Sequence, residues 1–99
     1  MAVVVGIHFV CRGELGVTDH GDGTFDTASW TVAREHCDTV EYVALHEAKD
    51  RPSYRQGRVL SWRMDSSEGQ SRVIFTVEEN AEPKTWVGGG TGERGYAYR

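Results

Sequence analysis

The chain has 99 residues, enough for one domain around a single core and too few for a second. Hydrophobic residues make up 38%, charged residues 26%, and aromatics 10%, a balance that excludes wholesale disorder. The net charge of −4 excludes a general electrostatic pull toward nucleic acid or anionic membrane, so any such partner has to meet a local patch.

The first residues, Met1 to Cys11, place no basic residue before their apolar run, and no long apolar span follows, so neither a signal peptide nor a membrane helix is expected. Ala2 to Val10 carries Val3, Val4, Val5, Ile7, Phe9 and Val10, too short and too β-branched for a favoured helix; it predicts a central strand buried on both faces. Arg12 to Phe25, with Gly13, Gly16, Gly21 and Gly23, reads as a loop whose tightest turn is His20-Gly21-Asp22-Gly23.

Asp26 to Ala48 supports two readings. Ala33, Cys37, Val40, Ala44 and Ala48 recur at helical spacing, with Asp26 or Thr27 as a cap and Pro52 as a stop. Against that helix, Thr31, Val32, Thr39, Val40, Tyr42 and Val43 are β-branched or aromatic. The favoured reading is a strand over Trp30 to Arg34, a turn or short helix at Glu35 to Asp38, and a strand over Val40 to Glu47. Gly57 to Asp65 and Arg72 to Glu78 predict a hairpin turning at Ser66 to Gln70, with Leu60, Trp62 and Met64 meeting Val73, Phe75 and Val77 in the core. Glu79 to Arg99 predicts a loop and a short closing strand. The fold expected is mainly β with little helix: six short strands in a small, partly closed, mostly antiparallel barrel.

Motifs that promise chemistry dissolve on inspection. Gly90-Thr91-Gly92-Glu93-Arg94-Gly95 matches a dinucleotide fingerprint in letters, but only four residues follow it, leaving no room for the helix and distal acid that the fingerprint requires. His8, Cys11, His36 and Cys37 supply four formal zinc ligands at spacings no zinc module uses, and free buried thiols with a satisfied core histidine are expected instead. A Cys37 nucleophile activated by adjacent His36 fails because strand neighbours point to opposite faces. No metal or other cofactor is expected, and two cysteines in a chain read without an export signal suit a reducing, cytoplasmic setting.

The densest polar constellation is the loop holding His46, Glu47, Lys49, Ser53, Tyr54, Arg55 and Gln56, between the apolar stretches Tyr42 to Leu45 and Val59 to Trp62. It reads either as a solvated hairpin loop or as the cap of a binding cleft. In the second reading Gln56 and Ser53 read a base edge, Arg55 or Lys49 holds a phosphate, and Tyr54, Trp30 or Trp86 stacks on the base. The stretch Leu45-His46-Glu47-x-Lys49, the run Ser53-Tyr54-x-Gln56-Gly57 leading to Trp62-Arg63, and the strand Arg72 to Val77 together resemble the PUA-like superfamily, which includes PUA, ASCH and EVE domains. The resemblance spans Trp30 to Val77 and implies a compact barrel that binds RNA or modified DNA bases in an aromatic-lined cleft, with Trp30, His46, Ser53, Tyr54 and Gln56 at that cleft. The function expected is non-catalytic binding of nucleic acid or a modified nucleobase, by a monomer or small homo-oligomer. Two alternatives remain: a small enzyme using Glu47 and Lys49 on a nucleotide-like or amide substrate, and an interaction module offering an open edge strand.

Overall fold

A computed structural model describes residues 2–65, 72–88 and 92–99. It is mainly β, with strands β1 (Val4–Val10), β2 (Thr18–Asp19), β3 (Thr24–Asp26), β4 (Tyr42–His46), β5 (Arg55–Asp65), β6 (Arg72–Asn80) and β7 (Arg94–Tyr98), and one short helix, α1 (Arg34–Cys37). All seven strands join one sheet in the order β2-β3-β6-β5-β4-β1-β7. Among the described residues only the β1–β4 pairing is parallel; the others are antiparallel. A parallel pair needs a long crossover. Here the crossover contains the β2–β3 hairpin and α1, and the hairpin docks on β6 at the far side of the sheet.

The sheet is strongly curled. Phe9 on β1 and Phe75 on β6 belong to strands three positions apart in the order, which on a flat sheet would be about 14 Å at one strand spacing per step. Their ring centroids are 6.4 Å apart. The concave side holds the core: Ile7, Phe9, Phe25, Val43, Leu45, Val73, Phe75 and Val77 are all buried, and Trp30 stacks on Phe9 at 4.4 Å. Among the described residues no ladder joins β2 to β7, so the sheet curls without closing.

Several expectations are met. β1 is buried along almost its whole length, α1 overlaps the expected turn or short helix at Glu35 to Asp38 while starting one residue earlier, and the glycines of the His20–Gly23 turn take left-handed φ values of 77° and 91°. The Gly90–Gly95 motif and the Ser66–Gln70 turn lie wholly or partly outside the described residues.

Three expectations are corrected. Trp30 to Arg34 is not a strand; Trp30 makes a single bridge to Val73, and the chain then turns into α1. Arg12 to Phe25 is not all loop, because Arg12–Glu14 forms a 3-10 turn and Thr18–Asp19 pairs with Phe25 and Asp26 as β2 and β3. The third correction concerns the hairpin core. Val59 pairs with Val77 but Ser61 pairs with Thr76, so Leu60 is an extra residue in β5, a bulge that reverses the facing of everything after it. Val59 and Trp62, three apart, therefore both pack on the core, and Leu60 is 46% exposed; Trp62 and Met64 keep the expected register opposite Phe75 and Val73, with Met64, near the end of β5, 47% exposed.

Candidate functional site

Between β4 and β5 the loop exposes Asp50, Arg51 and Pro52, but Ser53 at its end and Gln56 at the start of β5 turn inward. Ser53 and Gln56 are buried, and their side chains bond to each other, Oγ to Oε1 at 2.6 Å. Ser53 Oγ also accepts the Lys84 N–H at 2.8 Å, its own N–H reaches the Lys84 carbonyl at 2.9 Å, and Gln56 Nε2 donates to the Asn80 carbonyl. These two residues thus staple the segment after β6 onto the sheet. Tyr54 is half-buried against the core and its hydroxyl donates to the Cys11 carbonyl; burial, followed by the Cys11 contact, pushes its pKa up. Arg55 lies over the Phe25 ring at 4.3 Å and bonds Glu79 through two nitrogens, with Glu14 and Asp19 at 2.9 and 2.8 Å. Three carboxylates on one guanidinium leave no excess charge for a phosphate. Glu47 accepts the Gly13 N–H at 2.7 Å, tying two loops together.

His46 joins a second buried arrangement, on the sheet face opposite the core. His8 Nδ1 lies 2.9 Å from His46 Nε2, His8 Nε2 lies 2.9 Å from the Tyr42 hydroxyl, and His46 Nδ1 lies 2.9 Å from the Arg51 carbonyl. The proton positions follow from the chain's end. A carbonyl only accepts, so His46 Nδ1 carries the hydrogen; neutral His46 then accepts at Nε2, His8 donates from Nδ1, and Tyr42 donates to His8 Nε2. Both imidazoles are fully buried, and Trp86 meets them edge-on at 5.9 and 5.1 Å. Burial lowers the His8 pKa to about 4, helped by His46 and Lys84, and burial lowers that of His46. Trp86 therefore roofs a histidine pair instead of edging a pocket. Gly95 makes this possible: a Cβ there would fall 1.7 Å from the Val87 carbonyl oxygen. A nucleophile, base and orienting group are formally present in Tyr42, His8 and His46. Tyr42, however, lines none of the clefts described below.

The main cleft, of about 550 Å³, lies elsewhere. Its wall includes Val10, Leu15, Trp30 and Ile74 as apolar surface, with Arg12, Arg63 and Arg72 as cations and Asp26, Asp65 and Glu93 as anions. Arg63 donates to Asp26 at 2.9 Å, and Arg12 approaches Glu93 at 3.6 Å. Burial alone would raise the Asp26 pKa, but bonds from His20, Thr76 and Arg63 outweigh it and hold the carboxyl below its usual range. Two buried donors on this wall, Trp30 Nε1 and Arg72 Nε, have no hydrogen-bond partner. Tyr54 and Gln56 line a separate, shallower cleft of about 480 Å³ with Glu79 and Asn80. Trp30, Tyr54 and Gln56 thus do not share one pocket, and the arginines of the Trp30 cleft escaped the sequence reading. Their signal was the polar alternation of Arg63, Asp65 and Arg72 at the hairpin's outer end.

No family model, curated protein or solved structure matches the chain. Among the described residues no helix is long and apolar enough to cross a membrane, and Cys11 and Cys37 are both free and buried.

Proposed function

We propose that the chain is a non-catalytic binding domain for a nucleobase, presented by single-stranded RNA, by modified DNA or as a free nucleotide, and that the ligand enters the Trp30 cleft. The observation that carries this reading is that one aromatic ring and three arginines share a concavity of ligand size. Trp30 has one ring face on Phe9 and offers the base the surface that remains, while Arg72, whose Nε has no hydrogen-bond partner, meets the phosphate. A curled, small β-sheet is in keeping with the PUA-like barrel that the sequence resembles. The cytoplasmic setting and the monomeric or small oligomeric state belong to the same proposal.

The test is titration of the protein with nucleoside monophosphates and with a short single-stranded RNA, followed by tryptophan fluorescence and calorimetry. Trp30→Ala is expected to weaken binding about 5- to 150-fold, the equivalent of about 1–3 kcal/mol of stacking. The salt slope is expected to correspond to only a few phosphates. Absence of binding at millimolar ligand, or binding indifferent to Trp30, overturns the proposal. A second reading, a module that pairs its edge strand with a partner, is favoured by the open sheet, where five-residue β7 stands at one edge. In the enzyme alternative the acid/base pair would be Glu47, which accepts the Gly13 N–H, and Lys49, which lies 5.5 Å over the Trp86 ring.

A further inference from the structure

We propose that the Tyr42–His8–His46 chain is an acid-sensitive latch, and that proton uptake by the histidine pair releases the strap of residues 81–88 from the sheet. The strap crosses the pair directly. Trp86 lies edge-on to both imidazoles, and Lys84 makes two backbone bonds with Ser53 just outside them.

The chain of hydrogen bonds holds one proton per imidazole, and another can be taken up only by opposing two N–H groups or by reversing the Tyr42 hydroxyl. A proton added at His46 Nε2 points two N–H groups at each other across 2.9 Å. One added at His8 Nε2 forces the Tyr42 hydroxyl to turn round and accept. Either form places a charge in a site closed to water, where the facing charged side chains add to the repulsion. The strap contributes Lys84, whose ammonium lies 4.6 Å over the Tyr42 ring and which lowers the His8 pKa; Lys49 of the β4–β5 loop lies over Trp86. On β5, Gln56 is neutral and Arg58, opposite Tyr42, is paired with Glu78 of β6. The Glu47 carboxylate is held by Gly13, and β7 presents only Gly95 beside His8. The strap is no part of the sheet ladder and lies directly over the pair through Trp86, so it yields first.

The direction follows from the depressed histidine pKa. The latched state is fully favoured above about pH 6.5, the ordinary imidazole value, and loses its advantage as pH falls toward about 4. Between pH 7.5 and pH 5 the opening equilibrium is expected to rise about thirtyfold. Amide hydrogen exchange on the full chain, expressed as protection factors, reads this at the Ser53 and Lys84 amides. The expected result is a loss of protection there of about thirtyfold while Val43 and Phe75 stay protected, with a midpoint that follows proton uptake by the His8 and His46 rings in NMR titration. His8→Asn, which keeps a donor near the Nδ1 position and cannot titrate, is expected to flatten the profile. If that variant does not fold, the wild-type midpoint still decides. Loss of strap and core protection together, no loss by pH 5, or a midpoint following His20 or His36 overturns the proposal.

Discussion

Tyr54 separates a structural loop from a ligand-reading one, and the consequences of altering it can be worked out from its contacts. Its hydroxyl donates to the carbonyl of buried Cys11, and its ring packs on the core cluster. Tyr54→Phe removes the bond and leaves that carbonyl unpaired, a cost of about 1–2 kcal/mol. Tyr54→Ala also removes the ring; full burial would set the loss at about 3–5 kcal/mol, and half-burial places it near the lower end. For a domain of this size the Phe variant should lose on the order of 10 °C in Tm. Urea unfolding and thermal melts on both variants give the stability terms, and nucleotide titration gives the binding term. Tyr54→Phe is expected to bind as the wild type does once corrected for folded fraction. A Phe variant within about 0.5 kcal/mol of wild type, or an Ala variant that melts normally but loses ligand, refutes the assignment and returns Tyr54 to the binding site.

The bulge in β5 makes a contrast between neighbours: Val59→Ala should cost about 1–2 kcal/mol, whereas Leu60→Ser should stay within about 0.5 kcal/mol in denaturant melts. The opposite order would mean that the alternation runs unbroken. Gly57→Ala places a Cβ 2.0 Å from the Glu78 carbonyl oxygen, backbone that cannot step aside, and should destabilise by about 1–3 kcal/mol or more. An unchanged melt would show that β5 and β6 can separate locally without cost. Asp26 has a carboxyl pKa held below its usual value, so it contributes stability above about pH 4 that is lost as pH falls through the lowered value. Asp26→Asn should therefore flatten the stability–pH curve on the acid side below pH 4; an identical slope in the variant would remove Asp26 from the acid response.

How much of this was legible in the sequence depends on whether the signal was local. The β-branched run of β1, the short α1, the strands β4, β5 and β6 and the glycine turn before β3 all follow from neighbours along the chain, because propensity and alternation act over a few residues. So do the compact size and the expectation of a mainly β domain. The place of Leu60 did not follow, since the extra residue is set by pairing with β6 and puts Val59 instead of Leu60 opposite Val77, while Trp62 and Met64 keep the expected partners Phe75 and Val73. Trp30 to Arg34 carries strand propensity, but among the described residues it bridges only Val73, one residue from the start of β6, before the chain turns into α1.

The site was misread for the same reason. Ser53, Tyr54, Arg55 and Gln56 look like a solvated or ligand-facing loop when their partners, Lys84, Cys11, Glu79 and Asn80, are counted as distant in sequence. His8 and His46 are 38 residues apart and meet only because β1 and β4 run parallel, with the two side chains on the same face. Composition and short-range pattern determined which residues favour strands and which are polar; the order in which the strands pair decided which polar groups satisfy one another and which arginines are left around Trp30, because hydrogen bonds and ion pairs select partners through space and not by position in the chain.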